Sequence, residues 1–167
     1  MRIGRQWRTT LVLLSVPLLA AACGGAASSS GSSSGGSAAS SASPTPAPDV
    51  KTATATVAGK QETILTDQKG MTLYYYTPDK GGKVTCTGQC AAAWPPLAGP
   101  AGSSKPAGGQ GVTGPLATAS NPAGGSVVTY KGWPLYTWVQ DKKPGDTTGQ
   151  GVKGVWFVAT PDVQPAT

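Results

Sequence analysis

The chain has 167 residues, with 13 Lys and Arg against seven acids, 24 Gly, 15 Pro, three Cys and no His, for a net charge of +6. The absence of His excludes Ser-His-Asp and Cys-His catalysis, His-ligated zinc and His general bases. Gly and Pro at this density exclude long helices.

Residues 1–22 read as a lipoprotein signal peptide. Arg2, Arg5 and Arg8 form a basic start, followed by an apolar run over 11–22 broken by Ser15 and Pro17. A spanning helix needs about 20 apolar residues, so this run is an export address rather than a membrane span. It ends Ala20-Ala21-Ala22-Cys23-Gly24. Small residues before a Cys resemble a lipobox, which implies lipidation of Cys23 and a membrane lipid partner. Cleavage before Cys23 removes every Arg, leaving ten Lys against seven acids, a net charge of +3. The basic balance therefore carries no signal for nucleic acid, and no Arg remains for bidentate phosphate recognition.

Residues 23–49 read as a tether. Ala, Ser and Gly dominate, ending in Ser43-Pro44-Thr45-Pro46-Ala47-Pro48. Such a segment cannot bury enough apolar surface to fold. As a flexible chain it spans roughly 25–30 Å.

The folded domain is expected over 50–163. Alternating Thr with Ala or Val predicts a strand at 52–57, and a second follows at 62–67. A turn at Gln68-Lys69-Gly70 leads into a strand at 71–77. A helical turn is expected at 88–93. The connection 98–125 is long for a compact domain and either holds a short strand near 112–117 or forms a flap. Strands follow at 126–130 and 133–139, joined by a tight turn at Lys131-Gly132. A last strand is expected at 155–159.

One stretch occurs twice. Gly70-Met71-Thr72-Leu73-Tyr74-Tyr75-Tyr76-Thr77-Pro78-Asp79 returns as Gly132-Trp133-Pro134-Leu135-Tyr136-Thr137-Trp138-Val139-Gln140-Asp141, an offset of 62 residues. The same offset carries Trp94 onto Trp156. Matched spacing over this length indicates an internal duplication, with copies at about 60–97 and 122–160. The expected fold is all-β, a single compact domain of short antiparallel strands built from two similar halves. Neither half is large enough to stand alone, so they should share one core holding Leu73 and Leu135.

At these residues the chain resembles a bacterial secreted-repeat lipoprotein family defined by Tyr-x-(Phe/Trp/Tyr)-x-x-Asp. Tyr74, Tyr76 and Asp79 carry the first motif, and Tyr136, Trp138 and Asp141 the second. The block Cys86-Thr87-Gly88-Gln89-Cys90 running to Trp94, and the block 144–151 running to Trp156, are similar too. The resemblance implies an extracytoplasmic location, anchored to the cell membrane, and no established molecular function. It also carries an association with alkane use that no residue here supports chemically.

Three readings stand for Cys86 and Cys90. In a secreted chain the expected state is a disulfide staple. A redox-active pair is the second reading, and a soft metal site completed by Met71 the third. Asp79 and Asp141 are expected to cap the loops that follow their strands, rather than to act as paired catalytic carboxylates. Asp141 with Asp146 falls short of a calcium ligand set. The Tyr and Trp side chains belong either to the core or to a shelf for a ligand. The expected role is thus a non-enzymatic binding or structural module of the cell envelope. It has no cofactor or metal, and its partner is an envelope protein or a small apolar or glycan ligand. The alternative is a redox or metal-handling protein using Cys86 and Cys90.

Overall fold

The computed structural model describes residues 49–102 and 105–167. The signal peptide, Cys23 and the tether up to residue 48 lie outside the described residues. No described helix is long and apolar enough to cross a membrane.

The domain is built of short antiparallel strands. Strands β1 (Lys51–Val57) and β2 (Lys60–Thr66) form a hairpin with Val57 opposite Lys60. Its two-residue turn, Ala58-Gly59, has positive φ at both positions (48° and 83°). That geometry matches the right-handed twist of paired strands, and Gly59 makes it cheap. Strand β3 (Tyr74–Tyr76) pairs with the last strand, β7 (Trp156–Val158). Strands β4 (Leu116–Ser120), β5 (Ser126–Tyr130) and β6 (Trp133–Pro134) form a three-stranded sheet. Lys131-Gly132 turns β5 into β6 with the same pair of positive φ values, 49° and 87°. Among the described residues the one α-helix, α1 (Gln89–Ala93), falls where one turn was expected.

Three expectations need correction. The strands expected at 71–77 and 133–139 are regular only at 74–76 and 133–134. Their backbones change partner at nearly every residue, which breaks a ladder into bridges. The strand expected at 112–117 lies at 116–120 instead. The connection around it is not a free flap. Gly109 N–H donates to Val50 O at 2.8 Å, and Gly114 N–H donates to the Tyr130 hydroxyl at 2.9 Å.

The changing partners follow a rule. Leu65 N–H donates to Ala159 O, Leu73 N–H to Leu65 O, and Ala159 N–H to Leu73 O. In the other half Val128 N–H donates to Leu97 O, Leu135 N–H to Val128 O, and Leu97 N–H to Leu135 O. Each triangle thus takes two residues from one copy and one from the other, Ala159 in the first and Leu97 in the second. The two triangles meet where Tyr74 and Tyr136 exchange bonds, N–H to O in both directions, at 2.8 and 2.9 Å. A pseudo-twofold axis passes between these residues.

Side-chain alternation then sorts the core into two layers. Leu73 and Leu135, both fully buried, pack with Val50, Leu65, Val128 and Tyr130 on one side. Tyr74 and Tyr136 turn the other way, into a cluster with Ile64, Trp94, Trp156 and Val158. Both layers draw residues from both copies, so the halves share one core.

Candidate functional site

Tyr74 and Tyr136 are fully buried, and each hydroxyl needs an acceptor. Tyr74 donates to Asp141 Oδ2 at 2.6 Å, and Tyr136 donates to Asp79 Oδ2. Each motif tyrosine therefore reaches the aspartate of the other copy. Asp79 Oδ1 accepts from Thr85 N–H (2.8 Å) and from the Thr85 hydroxyl (2.5 Å). Asp141 Oδ1 accepts from Thr148 N–H (3.0 Å) and from the Thr148 hydroxyl (2.6 Å). The expected capping role is present, since each Asp holds the loop that follows it. The cross-copy bond was not foreseen. Burial pushes both tyrosine hydroxyls far above their ordinary pKa, and the neighbouring carboxylate pushes the same way. In this arrangement the carboxylates serve as acceptors within a lock, with their oxygens committed to donors.

The residues after Thr85 and Thr148 explain how the two loops differ. The first copy places Cys86 there, bonded to Cys90 with a Cα–Cα distance of 5.2 Å. The second places Gly149, whose N–H donates to the Tyr74 hydroxyl at 3.2 Å. A Cβ on Gly149 would lie 2.7 Å from Trp94 and 2.8 Å from Tyr74. Gly149→Ala is expected to destabilise by about 1–3 kcal/mol through overpacking, read as a shift in the urea midpoint. A neutral result would mean that Trp94 and Tyr74 are not fixed against this backbone. The disulfide closes a very small ring, for which chain entropy gives about 2 kcal/mol. Thiol reagents should leave the native protein unlabelled until reductant is added. Two reactive thiols without reductant would contradict the bond.

The aromatic side chains line up across the axis. Trp94 and Trp156 stack face to face, with centroids 3.9 Å apart and planes within 2°. Trp138 covers the outer face of Trp94 at 4.0 Å, and Tyr76 covers Trp156 at 4.3 Å. Tyr74 and Tyr136 meet the inner pair edge-on, at 5.3 and 5.2 Å. The result is a four-ring column, Trp138–Trp94–Trp156–Tyr76, buried at its centre and half-buried at its ends.

A cleft of about 350 Å³ opens along this column, at the small end of the usual range for ligand sites. Its walls come in pairs at the repeat offset of 62: Tyr76 with Trp138, Trp94 with Trp156, Cys90 with Val152, and Ala93 with Val155. The cleft therefore sits on the pseudo-twofold axis. Gln89 and Lys153 complete it and break the symmetry. Lys153 holds a left-handed backbone (φ 52°, ψ 16°) between Gly151 and Gly154. That conformation costs a non-glycine residue about 1 kcal/mol.

Sequence reasoning named the tyrosines, Trp94, Trp138, Trp156, the aspartates and the cysteines. The structure brings Tyr76, Trp94, Trp138, Trp156 and Cys90 together at the cleft. It puts Tyr74, Tyr136, Asp79 and Asp141 beneath it, in the lock. Thr85, Thr148, Gln89, Val152, Lys153 and Val155 were missed. A signal for the threonines exists, since Thr-x-x-Gly recurs at 85–88 and 148–151.

The geometry defines a class: an all-β domain of two interlocked copies around one axis. A family described as a secreted repeat of unknown function matches residues 55–98 and 117–160, two copies at the same offset of 62. The chain belongs to this secreted-repeat family, which places it outside the cytoplasm. No curated protein and no solved structure matches it.

Proposed function

We propose that the protein is a non-enzymatic binding module of the cell envelope, anchored to the membrane by lipid on Cys23. Its ligand site is the cleft on the pseudo-twofold axis. The observation that carries this reading is the pairing of the cleft walls across the two copies. Structural packing alone gives no reason to leave an aromatic-lined opening on the axis between the two copies. The tether would hold this opening off the membrane surface, within reach of small molecules or of another envelope component.

The test is titration of the full-length protein with small apolar and aromatic compounds, followed by tryptophan emission. Saturable changes are expected, and Trp138→Ala should abolish them while the fold persists, because this ring ends the column. Failure of every compound to perturb emission would overturn the reading. For the anchor, Cys23→Ala should release the protein from membranes or leave it unprocessed. Normal processing with unchanged retention would contradict lipidation.

A second reading has one observation in its favour. Cys90 lies in the cleft wall, so a ligand there would touch the disulfide. A redox role predicts a bond that is reduced at a thioredoxin-like poise near −270 mV, whereas a staple has a potential below about −300 mV and stays oxidised at that poise.

A further inference from the structure

We infer that the cleft takes a small monocarboxylate, with its acid group on the two central indoles and Lys153 and its apolar body along the aliphatic wall. This rests on the cleft being a ligand site, and it names the chemistry of the ligand.

The first argument is what the rings offer. Trp94 and Trp156 spend their faces on each other and on the outer rings. Their edges are what remains to meet a ligand. An aromatic edge carries partial positive charge, so it prefers electron-rich atoms. A sugar ring seeks the opposite, an open face for its C–H groups. The two central rings therefore favour acceptor oxygens, which a carboxylate supplies.

The second argument is two open donors. Among the described residues, the indole that donates to a protein acceptor is that of Trp133, to Gln164 O at 2.7 Å. Trp94 and Trp156 have no such bond, yet among the described residues no buried side-chain donor is left sealed without a partner. Both rings are only 4% and 2% exposed. Their N–H groups are therefore not sealed off, and the cleft is an opening that both rings line. Two nearly buried donors, equivalent by the repeat, can be matched by one group with two acceptor oxygens. A carboxylate has that form.

The third argument is charge. Lys153 lines the cleft, and no acidic residue does. Among the described residues the ion pair present is Lys143 with Asp146, so Lys153 has no acid of its own. A cation without a partner beside two N–H donors favours an anion. Of the other walls, Val152, Val155 and Ala93 offer apolar contact that suits a hydrocarbon body, and Gln89 adds one polar group.

The experiment follows the indole N–H resonances of the isotope-labelled full-length protein. The probes are hydrocinnamate and its neutral alcohol, which share one apolar body. The acid should shift the Trp94 and Trp156 resonances saturably and bind about tenfold more tightly than the alcohol. Lys153→Asn keeps a side chain that tolerates the left-handed backbone and removes the ammonium. It should bring the acid down to the level of the alcohol. Lys153→Gly, which also relieves the backbone, should do the same and guards against a folding defect in the first variant. Equal binding of both probes, unchanged in either variant, would overturn the carboxylate assignment and leave the apolar site standing. No shift from either probe would overturn both.

Discussion

Trp156→Ala is expected to remove 3–5 kcal/mol of stability, a large share of the 5–15 kcal/mol that holds a domain of this kind. The ring is one of the two inner members of the column. It loses a stacked partner on each face, Trp94 and Tyr76, and an edge contact from Tyr136. Each such pair adds about 0.5–1.5 kcal/mol beyond simple burial. The surrounding rings are held by strands and by the Tyr–Asp bonds, so they cannot easily collapse into the space. Trp138→Ala, at the half-buried end, should cost less than half as much. Urea denaturation of the two variants checks this. Equal losses would mean that the column is not a packed unit.

Stability should also fall steeply in alkali. An unfolded tyrosine loses its proton near pH 10. Tyr74 and Tyr136 keep theirs to well above that in the fold, chiefly through burial and then through the adjacent carboxylates. Above about pH 10 the unfolded chain therefore binds fewer protons than the native one, and rising pH favours unfolding. The stabilisation is fully present below pH 10 and is lost as pH climbs towards the native values. The slope is about 1.4 kcal/mol per pH unit for each tyrosine. Urea midpoints measured at about pH 9 and pH 11 should show this drop. A Tyr74→Phe, Tyr136→Phe double variant should be less stable at pH 9 but have a shallower pH dependence. An equal slope in that variant would place the alkaline loss elsewhere.

Much of the architecture was legible in the sequence because a duplication writes itself twice. The offset of 62 fixed the equivalence of Tyr74 with Tyr136 and of Trp94 with Trp156, and the structure gives those pairs equivalent surroundings. The X-Gly turn at Lys131-Gly132 was readable because tight hairpins require positive φ there. What an offset cannot say is whether a residue meets its own copy or the other one. The Tyr–Asp exchange was hidden for that reason. Strand lengths were overestimated because alternation reports facing, not pairing. Leu73 and Tyr74 alternate as strand residues do, yet their backbones bond to different neighbours. Lys153 left no trace, since nothing in its neighbours marks a lysine held in a left-handed conformation beside a cleft.

The axis, the column and the cleft all depend on the two copies being locked through their motif residues. A double-mutant cycle on Tyr136 tests that lock. Tyr136→Phe is combined once with Asp79→Asn, of the other copy's motif, and once with Asp141→Asn, of its own. Removing a hydrogen bond to a charged group typically costs about 1.5–3 kcal/mol, so the first cycle should show coupling on that order. The second should show less than about 0.5 kcal/mol, within ordinary additivity. Coupling confined to Asp141, or absent from both cycles, would contradict the reciprocal lock and the shared axis built on it.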